Sequence, residues 1–366
     1  MARRVAVIGG GSSGLCAIKA CLDEGLEPVC FERSRDIGGL WRFEEQPEEG
    51  RASIYRSVII NTSKEMMCFS DFPIPDDFPN YMHHSKIMEY FRMYARRFDL
   101  LRHVRFGVRD GDLGGGTQGS GGCKTLIPAP PCPDQRVPRT SAIFEDGTRE
   151  DIDAVVFATG YSFSFPFLEE CVKVVENQAS LYKFMFPVDL EKPTLAFIGF
   201  IQPLGAIMPI SELQCRWATR VFKGLQELPP TSTMLADIAQ TKEKMAKRYV
   251  ASRRHTIQVD YIPYMDELAC QLGVKPNLPL LFLTDPPLAL EVLLGPCTPY
   301  QYRLRGPGAW RGARAAILTQ RQRVLQPLCG AAGRSGPRSS SVPHLLKVCF
   351  SIGLIAATLV YISLSP

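Results

Sequence analysis

The stretch VAVIGGGSSG at residues 5–14 decides the fold. Val5–Ile8 is a short β-rich apolar run, and glycines follow it with the G-x-G-x-x-G spacing at Gly9, Gly11 and Gly14. Glycines at these positions let the backbone turn tightly and approach a diphosphate, while the helix that begins there directs its free N–H groups toward the phosphate charge. The stretch therefore predicts a strand, a phosphate-binding turn and a helix.

The residues that follow complete a dinucleotide-binding unit. Apolar residues keep a helical period from Leu15 to Leu22, Gly25 ends the helix, and the run PVCFE at 28–32 predicts a second strand. This strand ends on Glu32, at the distance where such a unit places an acid that accepts hydrogen bonds from a ribose hydroxyl. The alternative is an ordinary βαβ unit that happens to be rich in glycine. The candidate cofactor-binding residues of this unit are Gly9, Gly10, Gly11, Ser12, Ser13, Gly14 and Glu32.

A second set of glycines with the same spacing lies within residues 111–138, at Gly114, Gly116 and Gly119. A nucleotide site would need a buried strand before the first glycine and a helix after the last. Polar residues precede Gly114, and the prolines that follow prevent a helix. The composition instead predicts an irregular or disordered linker without a nucleotide site.

The composition is that of a globular protein long enough for two domains, with 366 residues of which 45% are hydrophobic and 22% charged. The 12 cysteines form no C-x-x-C pair, and the five histidines show no metal-ligand spacing. This pattern indicates a reduced, cytosol-facing protein without a metal site.

The net charge of +5 is concentrated near the C-terminus, because no Asp or Glu follows residue 292. Behind this basic segment Val348–Leu364 is an uncharged apolar run. The pattern predicts a transmembrane anchor helix over 345–364 with the catalytic side in the cytosol, and a buried terminal helix is the alternative. Basic residues beside such a segment favour the lipid bilayer, and not nucleic acid, as partner.

Further motifs lie after Glu32 and in the second half of the chain. They are DIGGLWRF at Asp36–Phe43, RASIY at Arg51–Tyr55, INTSKEMMCFSDFP at Ile60–Pro73, FATGY at Phe157–Tyr161 and GPCTPYQY at Gly295–Tyr302. Together with the first glycine loop they resemble the flavin-containing monooxygenases, microsomal enzymes that oxygenate soft nitrogen and sulfur nucleophiles. The resemblance covers residues 1–106 and 140–326, and it implies an α/β fold with a Rossmann-like FAD-binding domain.

The resemblance also implies the chemistry and its residues. FAD is the implied cofactor and NADPH the reductant, while O2 and a small amine or sulfide react through a flavin C4a-hydroperoxide. The family position that matches Asn61 lies beside the flavin C4a carbon, which makes Asn61 the candidate catalytic residue, since an amide donates and accepts hydrogen bonds without ionising. Without the resemblance, this Asn is interpreted as a turn residue or a helix cap. The resemblance adds these cofactor-binding residues: Gly39, Leu40, Trp41, Ile60, Asn61, Thr62 and Gln202.

One part of the family pattern is missing. Family members carry a second G-x-G-x-x-G loop for NADPH, preceded by F-x-G-x-x-x-H-x-x-x-(F/Y). This chain lacks the preceding signature, and its only other match to the glycine spacing is the predicted linker at Gly114–Gly119. The resemblance stops near Phe106 and resumes near Thr140, so the NADPH-binding domain is largely missing. Two functions remain open, an FAD- and NADPH-dependent monooxygenase impaired by the truncation, or a non-catalytic, membrane-tethered FAD-binding remnant.

These observations predict the organisation of the chain. Residues 1–106 form the N-terminal part of the FAD-binding domain, 107–139 the linker, 140–330 its C-terminal part and 345–364 the anchor helix. One sheet is expected to contain strands at 5–9, 28–32, 154–158 and 195–201, and an amphipathic helix is expected over 85–100. The resemblance to microsomal enzymes, together with the anchor, implies the endoplasmic reticulum membrane. Apolar surface left by the lost domain favours self-association.

Overall fold

The computed structural model describes residues 4–47, 51–108, 172–250 and 255–328, with a few short stretches between 109 and 171. Those stretches are 127–128, 141–143, 149–151, 161–165 and residue 168. The strand predicted at 154–158 and nearly all of the linker at 111–138 lie outside the described residues.

The described elements are strands and helices in mixed order. The strands are β1 (Arg4–Ile8), β2 (Glu27–Glu32), β3 (Val104–Phe106), β4 (Ile127–Pro128), β5 (Ser141–Ile143), β6 (Arg149–Asp151), β7 (Tyr161–Ser162), β8 (Val174–Val175), β9 (Gln178–Ala179), β10 (Leu181–Tyr182), β11 (Phe186–Pro187), β12 (Gln202–Leu204) and β13 (Gln258–Asp260). The helices are α1 (Ser12–Asp23), α2 (Lys64–Met67), α3 (His84–Arg97), α4 (Ile207–Phe222), α5 (Thr231–Arg248), α6 (Tyr261–Leu272), α7 (Leu278–Thr284), α8 (Pro286–Leu294) and α9 (Ala313–Leu325).

The N-terminal strand–helix–strand unit forms as the sequence predicts. Strands β1 and β2 pair in parallel with Arg4 opposite Glu27, and β3 continues the sheet beyond β2 with Val104 opposite Cys30. Parallel neighbours need a long crossover connection, which α1 provides while it buries Leu15 in the core. The α/β fold class and its Rossmann-like unit are therefore confirmed.

The helix predicted over 85–100 is α3, and it is confirmed with the bounds His84–Arg97. Its apolar face is fully buried at Ile87, Phe91 and Tyr94, and the Tyr94 ring lies 4.1 Å from the ring of Phe69. At its start the His83 side chain accepts a hydrogen bond from the backbone N–H of Ser85. Aromatic packing thus fixes the segment after Asn61 to this helix.

Helix α4 is central, since it packs against α1, α2 and α6. Trp217 on this helix is fully buried and meets the ring of Phe186 edge-on at 5.1 Å. Because it is covered on several sides, this helix joins the N-terminal unit to the second half of the chain.

The strand predicted at 195–201 is wrong. Gly199 has a φ of +75°, which a continuous strand does not accommodate, and the backbone N–H of Phe197 bonds to the carbonyl of Met185. The strand β12 begins only at Gln202, and it pairs in parallel with β13 in a sheet apart from β1–β3. The apolar run is instead a partly buried irregular segment.

The predicted fold class also needs a correction, which concerns the C-terminal end of the chain. No helix in the described part of the chain is both long and apolar enough to span a bilayer, so the transmembrane helix of the predicted fold class is not found. The stretch for which it was predicted, 345–364, lies outside the described residues.

Candidate functional site

The phosphate loop connects β1 to α1 through three glycines. Gly9 has a φ of +97°, which favours glycine, and Gly11 precedes the first helical residue with no side chain capping the helix. A Cβ atom added to Gly14 would lie 1.9 Å from the carbonyl oxygen of Gly9. The helix therefore packs directly on the loop, and its first-turn N–H groups point past Gly11.

Glu32 is held beside this loop by three hydrogen bonds. Its Oε2 accepts the backbone N–H of Gly10 at 2.6 Å, and its Oε1 accepts the backbone N–H of Ser34 at 2.8 Å and the Ser34 hydroxyl at 2.5 Å. The residue is only 7% exposed. The structure thus brings the predicted acid to the loop, while its contact with a ribose stays a prediction.

A second glycine turn lies against the loop. The N–H of Gly38 bonds to the carbonyl of Gly10 at 3.0 Å, and a Cβ atom added to Gly39 would lie 3.2 Å from the Cα of Gly11. Both glycines have positive φ values, +109° at Gly38 and +53° at Gly39. The positive φ values and the crowding at Gly39 favour glycine in the second turn, so the two glycine turns form one backbone-lined surface.

The predicted apolar wall follows that turn. Leu40 is 47% exposed, whereas Trp41 is half-buried against the core. The backbone N–H of Trp41 bonds to the carbonyl of Gly38, which closes the turn. A large apolar side chain that stays exposed beside a glycine surface is available to a planar ligand.

Asn61 lies at the start of a short loop that leads into α2. The preceding residue, Ile60, is buried, and its N–H bonds to the carbonyl of Met82. Asn61 is exposed, and its Oδ1 lies 3.4 Å from the hydroxyl of Thr62, which donates to it. Since Ser63 occupies the N-cap position of α2, Asn61 is not the helix cap. Its place beside a flavin ring stays a prediction.

Gln202 begins β12 and is exposed, with its N–H bonded to the carbonyl of Ile257. The segment just before it reaches the phosphate-loop helix, because a Cβ atom added to Gly199 would lie 2.9 Å from the hydroxyl oxygen of Ser13. That hydroxyl also donates to Ser211 at 3.2 Å. The structure therefore joins Ser13 to the segment that leads to Gln202.

Sequence reasoning missed a buried ionic cluster that joins the two halves of the chain. Arg303 donates to the Glu212 carboxylate at 2.5 Å and to the Ser70 hydroxyl at 2.6 Å, and it lies 3.1 Å from Asp71. Burial alone would lower the pKa of Arg303, but Glu212 and Asp71 raise that pKa above its ordinary value. Lys19 on α1 completes the cluster at 2.9 Å from Asp71.

A second buried pair lies nearby. Arg323 binds both oxygens of Glu65 at 3.0 and 2.7 Å, and the Tyr300 hydroxyl donates to the same carboxylate at 3.0 Å. Tyr300 also accepts the thiol of Cys68 at 3.1 Å. No spacing in the sequence points to these pairs, because each joins residues more than 200 positions apart. They fix the segment after Gly295 onto the N-terminal unit.

The geometry defines a class of protein. A phosphate loop with an acid at the end of the next strand is the arrangement of dinucleotide-binding Rossmann units. Two solved structures share the fold. The match with S-allyl-L-cysteine S-oxygenase from Allium sativum covers 89% of this chain and 99% of the S-oxygenase chain, with 21% identity and a TM-score of 0.62. The match with Tmm from Pelagibacter sp. strain HTCC7211 covers 72% of this chain and 84% of the Tmm chain, with 18% identity and a TM-score of 0.55.

Sequence comparison specifies the family. The profile of flavin-binding monooxygenase-like proteins matches residues 2–111 and 134–364. Flavin-containing monooxygenase 5 of Oryctolagus cuniculus is 43% identical over 529 positions, which cover 98% of this chain and 99% of the relative. Dimethylaniline monooxygenase (N-oxide-forming) 2 of Cavia porcellus is 38% identical over 98% of both chains. The chain therefore belongs to the flavin-binding monooxygenase-like family of oxidoreductases, and the predicted resemblance is confirmed.

The same comparison shows a difference in length. The alignment with the rabbit relative runs over 529 positions, whereas this chain has 366 residues, so at least 163 aligned positions have no counterpart in it. The family profile leaves residues 112–133 unmatched. This stretch falls within the glycine- and proline-rich segment predicted to be a linker.

Proposed function

We propose that this chain binds FAD at the surface formed by its two glycine turns and Glu32, and that its ancestral reaction is NADPH-dependent oxygenation of soft nitrogen or sulfur nucleophiles. The observation that carries the proposal is the 2.6 Å bond from Gly10 to Glu32, which joins the phosphate loop to a buried acid. Family membership supports an oxidoreductase of the monooxygenase class.

The residues present fit the cofactor. Helix α1 offers uncapped N–H groups for the diphosphate, and a carboxylate has about four lone-pair directions, of which Glu32 uses three within the protein. One direction on Oε2 remains for a ribose hydroxyl. Bound FAD would supply the transfer of electrons from NADPH to O2. Leu40 and Trp41 would provide an apolar surface on one side, and the amide of Asn61 would be able to donate and accept hydrogen bonds toward the bound group.

We propose further that NADPH has no dedicated site in this chain. The support is the missing second glycine loop, together with the family positions that have no counterpart here. The same observations favour a second candidate function, that of a protein that binds FAD without catalysing the reaction. Under this candidate the flavin site persists because the elements that carry its loops contribute Val7, Leu15 and Cys30 to the core.

Purification of the full chain followed by measurement of bound flavin and NADPH consumption tests the proposal. We expect the parent protein to bind up to one FAD per chain. The Gly11→Val variant should bind none, because a branched side chain at this position blocks the approach of the diphosphate. The backbone at Gly11 has φ −75° and ψ −169°, which any residue adopts, so loss of FAD in a folded variant reports on ligand approach. Absence of FAD from the parent chain, even after reconstitution, would refute the proposal.

A further inference from the structure

Two buried arginines follow the second glycine turn. The side chains of Arg42 and Arg51 are 9% and 7% exposed, and both face the single carboxylate of Glu44. The Nη2 of Arg42 lies 3.1 Å from Glu44 Oε1, and the Nη1 of Arg51 lies 2.7 Å from Oε2. Counted over residues 4–47 and 51–108, one carboxylate between two guanidinium groups leaves a net positive charge in this cluster.

The hydrogen-bonding groups of this cluster are incompletely satisfied. Within the described part of the chain, Nε, Nη1 and Nη2 of Arg42 have no hydrogen-bond partner, because the approach to Glu44 is not aligned for one. The Nη1 of Arg51 is also without a partner there. Buried guanidinium N–H groups are ordinarily paired, so several unpaired groups in one cluster indicate a positive charge that lacks part of its compensation and that a nearby anion would balance.

Contacts connect the cluster to the phosphate loop. The Nη2 of Arg51 donates to the carbonyl of Gly39 at 3.1 Å and to the carbonyl of Arg42 at 3.3 Å. Gly39 in turn lies against Gly11, where the first-turn N–H groups of α1 are directed. Arg51 of this cluster therefore contacts Gly39, and Gly39 in turn contacts Gly11 of the phosphate loop.

The glycine surface needs such a charge. Residues 9–14 contain no basic side chain, and the nearby Glu32 adds a negative charge to the two that a bound diphosphate brings. The helix dipole offers only about half a positive charge. Lys19, the basic residue of α1, is already paired with Asp71 and Asp23 at 2.9 and 2.7 Å.

We infer that Arg42, supported by Arg51 and Glu44, is a positioning residue that provides the positive charge for the diphosphate of FAD. The inference rests on the proposed binding of FAD and adds a group outside the glycine loop. Arg51 holds the Gly39 carbonyl and so has a structural task as well. Arg42 donates no such bond with its side chain, and it is the cleaner residue to test.

The experiment compares FAD affinity and the thermal stability of the flavin-free protein in the full chain. We expect Arg42→Met to raise the Kd for FAD about tenfold, which corresponds to about 1.4 kcal/mol, without lowering the Tm of the flavin-free protein. After removal of Arg42 the Glu44 carboxylate is still paired with Arg51 at 2.7 Å, so no buried charge is left without a partner and the fold should not be destabilised. Arg42→Lys, which keeps the charge, should recover part of the affinity. Arg56→Met, which alters an exposed pair with Glu45, is the matched control and should change neither quantity.

Three results would overturn the inference about Arg42. If Arg42→Met lowers the flavin-free Tm or prevents folding while the control does not, Arg42 is structural and the inference fails. If Arg42→Met binds FAD as tightly as the parent chain, the inference fails while the proposed FAD site stands. If the parent chain itself binds no FAD, the proposed function fails, and this inference fails with it.

Discussion

The backbone N–H of Gly10 donates a 2.6 Å hydrogen bond to Oε2 of the buried Glu32, and this bond ties the phosphate loop to the end of the second strand. A cofactor that contacts both the phosphate loop and Glu32 therefore meets two groups whose separation is fixed before binding. Such preorganisation lowers the entropy lost on binding.

Replacing Glu32 by glutamine should weaken both the fold and the flavin site. One carboxylate oxygen accepts from Gly10 and the other accepts twice from Ser34, so an amide NH2 group must face a donor on one side. We expect a loss of about 1–3 kcal/mol in the free energy of unfolding, measured with urea, and a higher Kd for FAD. Glu45→Gln, at an exposed pair with Arg56, is the control. An unchanged urea midpoint for Glu32→Gln would contradict this account.

The last two glycines of the G-x-G-x-x-G motif should respond differently to alanine. A Cβ atom at Gly14 would lie 1.9 Å from the Gly9 carbonyl oxygen, so Gly14→Ala must displace the helix and should destabilise the fold by about 1–3 kcal/mol. A Cβ atom at Gly11 would meet only the Cα of Gly39 at 3.7 Å, an ordinary contact, so Gly11→Ala should keep the parent Tm. Thermal melts of the flavin-free variants make the comparison, and equal Tm values would refute it.

The N-terminal unit could be predicted from sequence because its signals are local. The glycine spacing, the helical period after Gly14 and the acid at Glu32 lie within 30 residues, and together they predict the same unit. The run at 195–201 misled because its apolar residues fit a strand, while the positive φ at Gly199 depends on packing against Ser13. Its irregular path follows from a tertiary contact that periodicity does not record.

The ionic clusters were beyond prediction for a similar reason. Arg303 and Glu212 are 91 positions apart, and Arg323 and Glu65 are 258 apart. A single charged residue in a sequence is ordinarily interpreted as solvent-exposed, since burial of a charge requires a partner. The partner becomes visible only once α4 and the segment after Gly295 are in place.

Breaking the first cluster should strongly destabilise the protein. Arg303→Met leaves Glu212 and Asp71 buried without their shared cation, and removal of one partner from a buried ion pair costs about 3–5 kcal/mol. Urea unfolding of the full chain measures this loss. Arg314→Met removes an exposed arginine paired with Asp285 and should leave the midpoint nearly unchanged. Equal effects of the two substitutions would show that the cluster does not stabilise the fold.

Acid should weaken the same cluster through Asp71. Burial alone would raise the pKa of this carboxyl, but Arg303 and Lys19 lower it below its ordinary value. Its stabilising effect is therefore fully present above the unfolded-state pKa near 4 and is lost as the pH falls through the lower folded-state pKa. The free energy of unfolding, followed by urea titration from about pH 6 downward, should decrease below about pH 4. Asp71→Asn should show a smaller decrease over this window, and an identical decrease would contradict the assignment.

The proposed FAD site and the proposed lack of a dedicated NADPH site together predict how the flavin-loaded chain reacts. Without a dedicated NADPH loop, hydride transfer should be far slower than about one per second, an ordinary enzyme rate. Chemical reduction bypasses that step, and admission of O2 should then yield hydrogen peroxide with little sulfoxide. The physical reason is exposure, since Asn61 is exposed and Leu40 is 47% exposed, so neither excludes water from the site. The measurement follows NADPH absorbance, peroxide and sulfoxide together, with the rabbit relative as positive control. Sulfoxide formed in equal amount to NADPH consumed, at about one turnover per second, would show that a nicotinamide site persists in this chain.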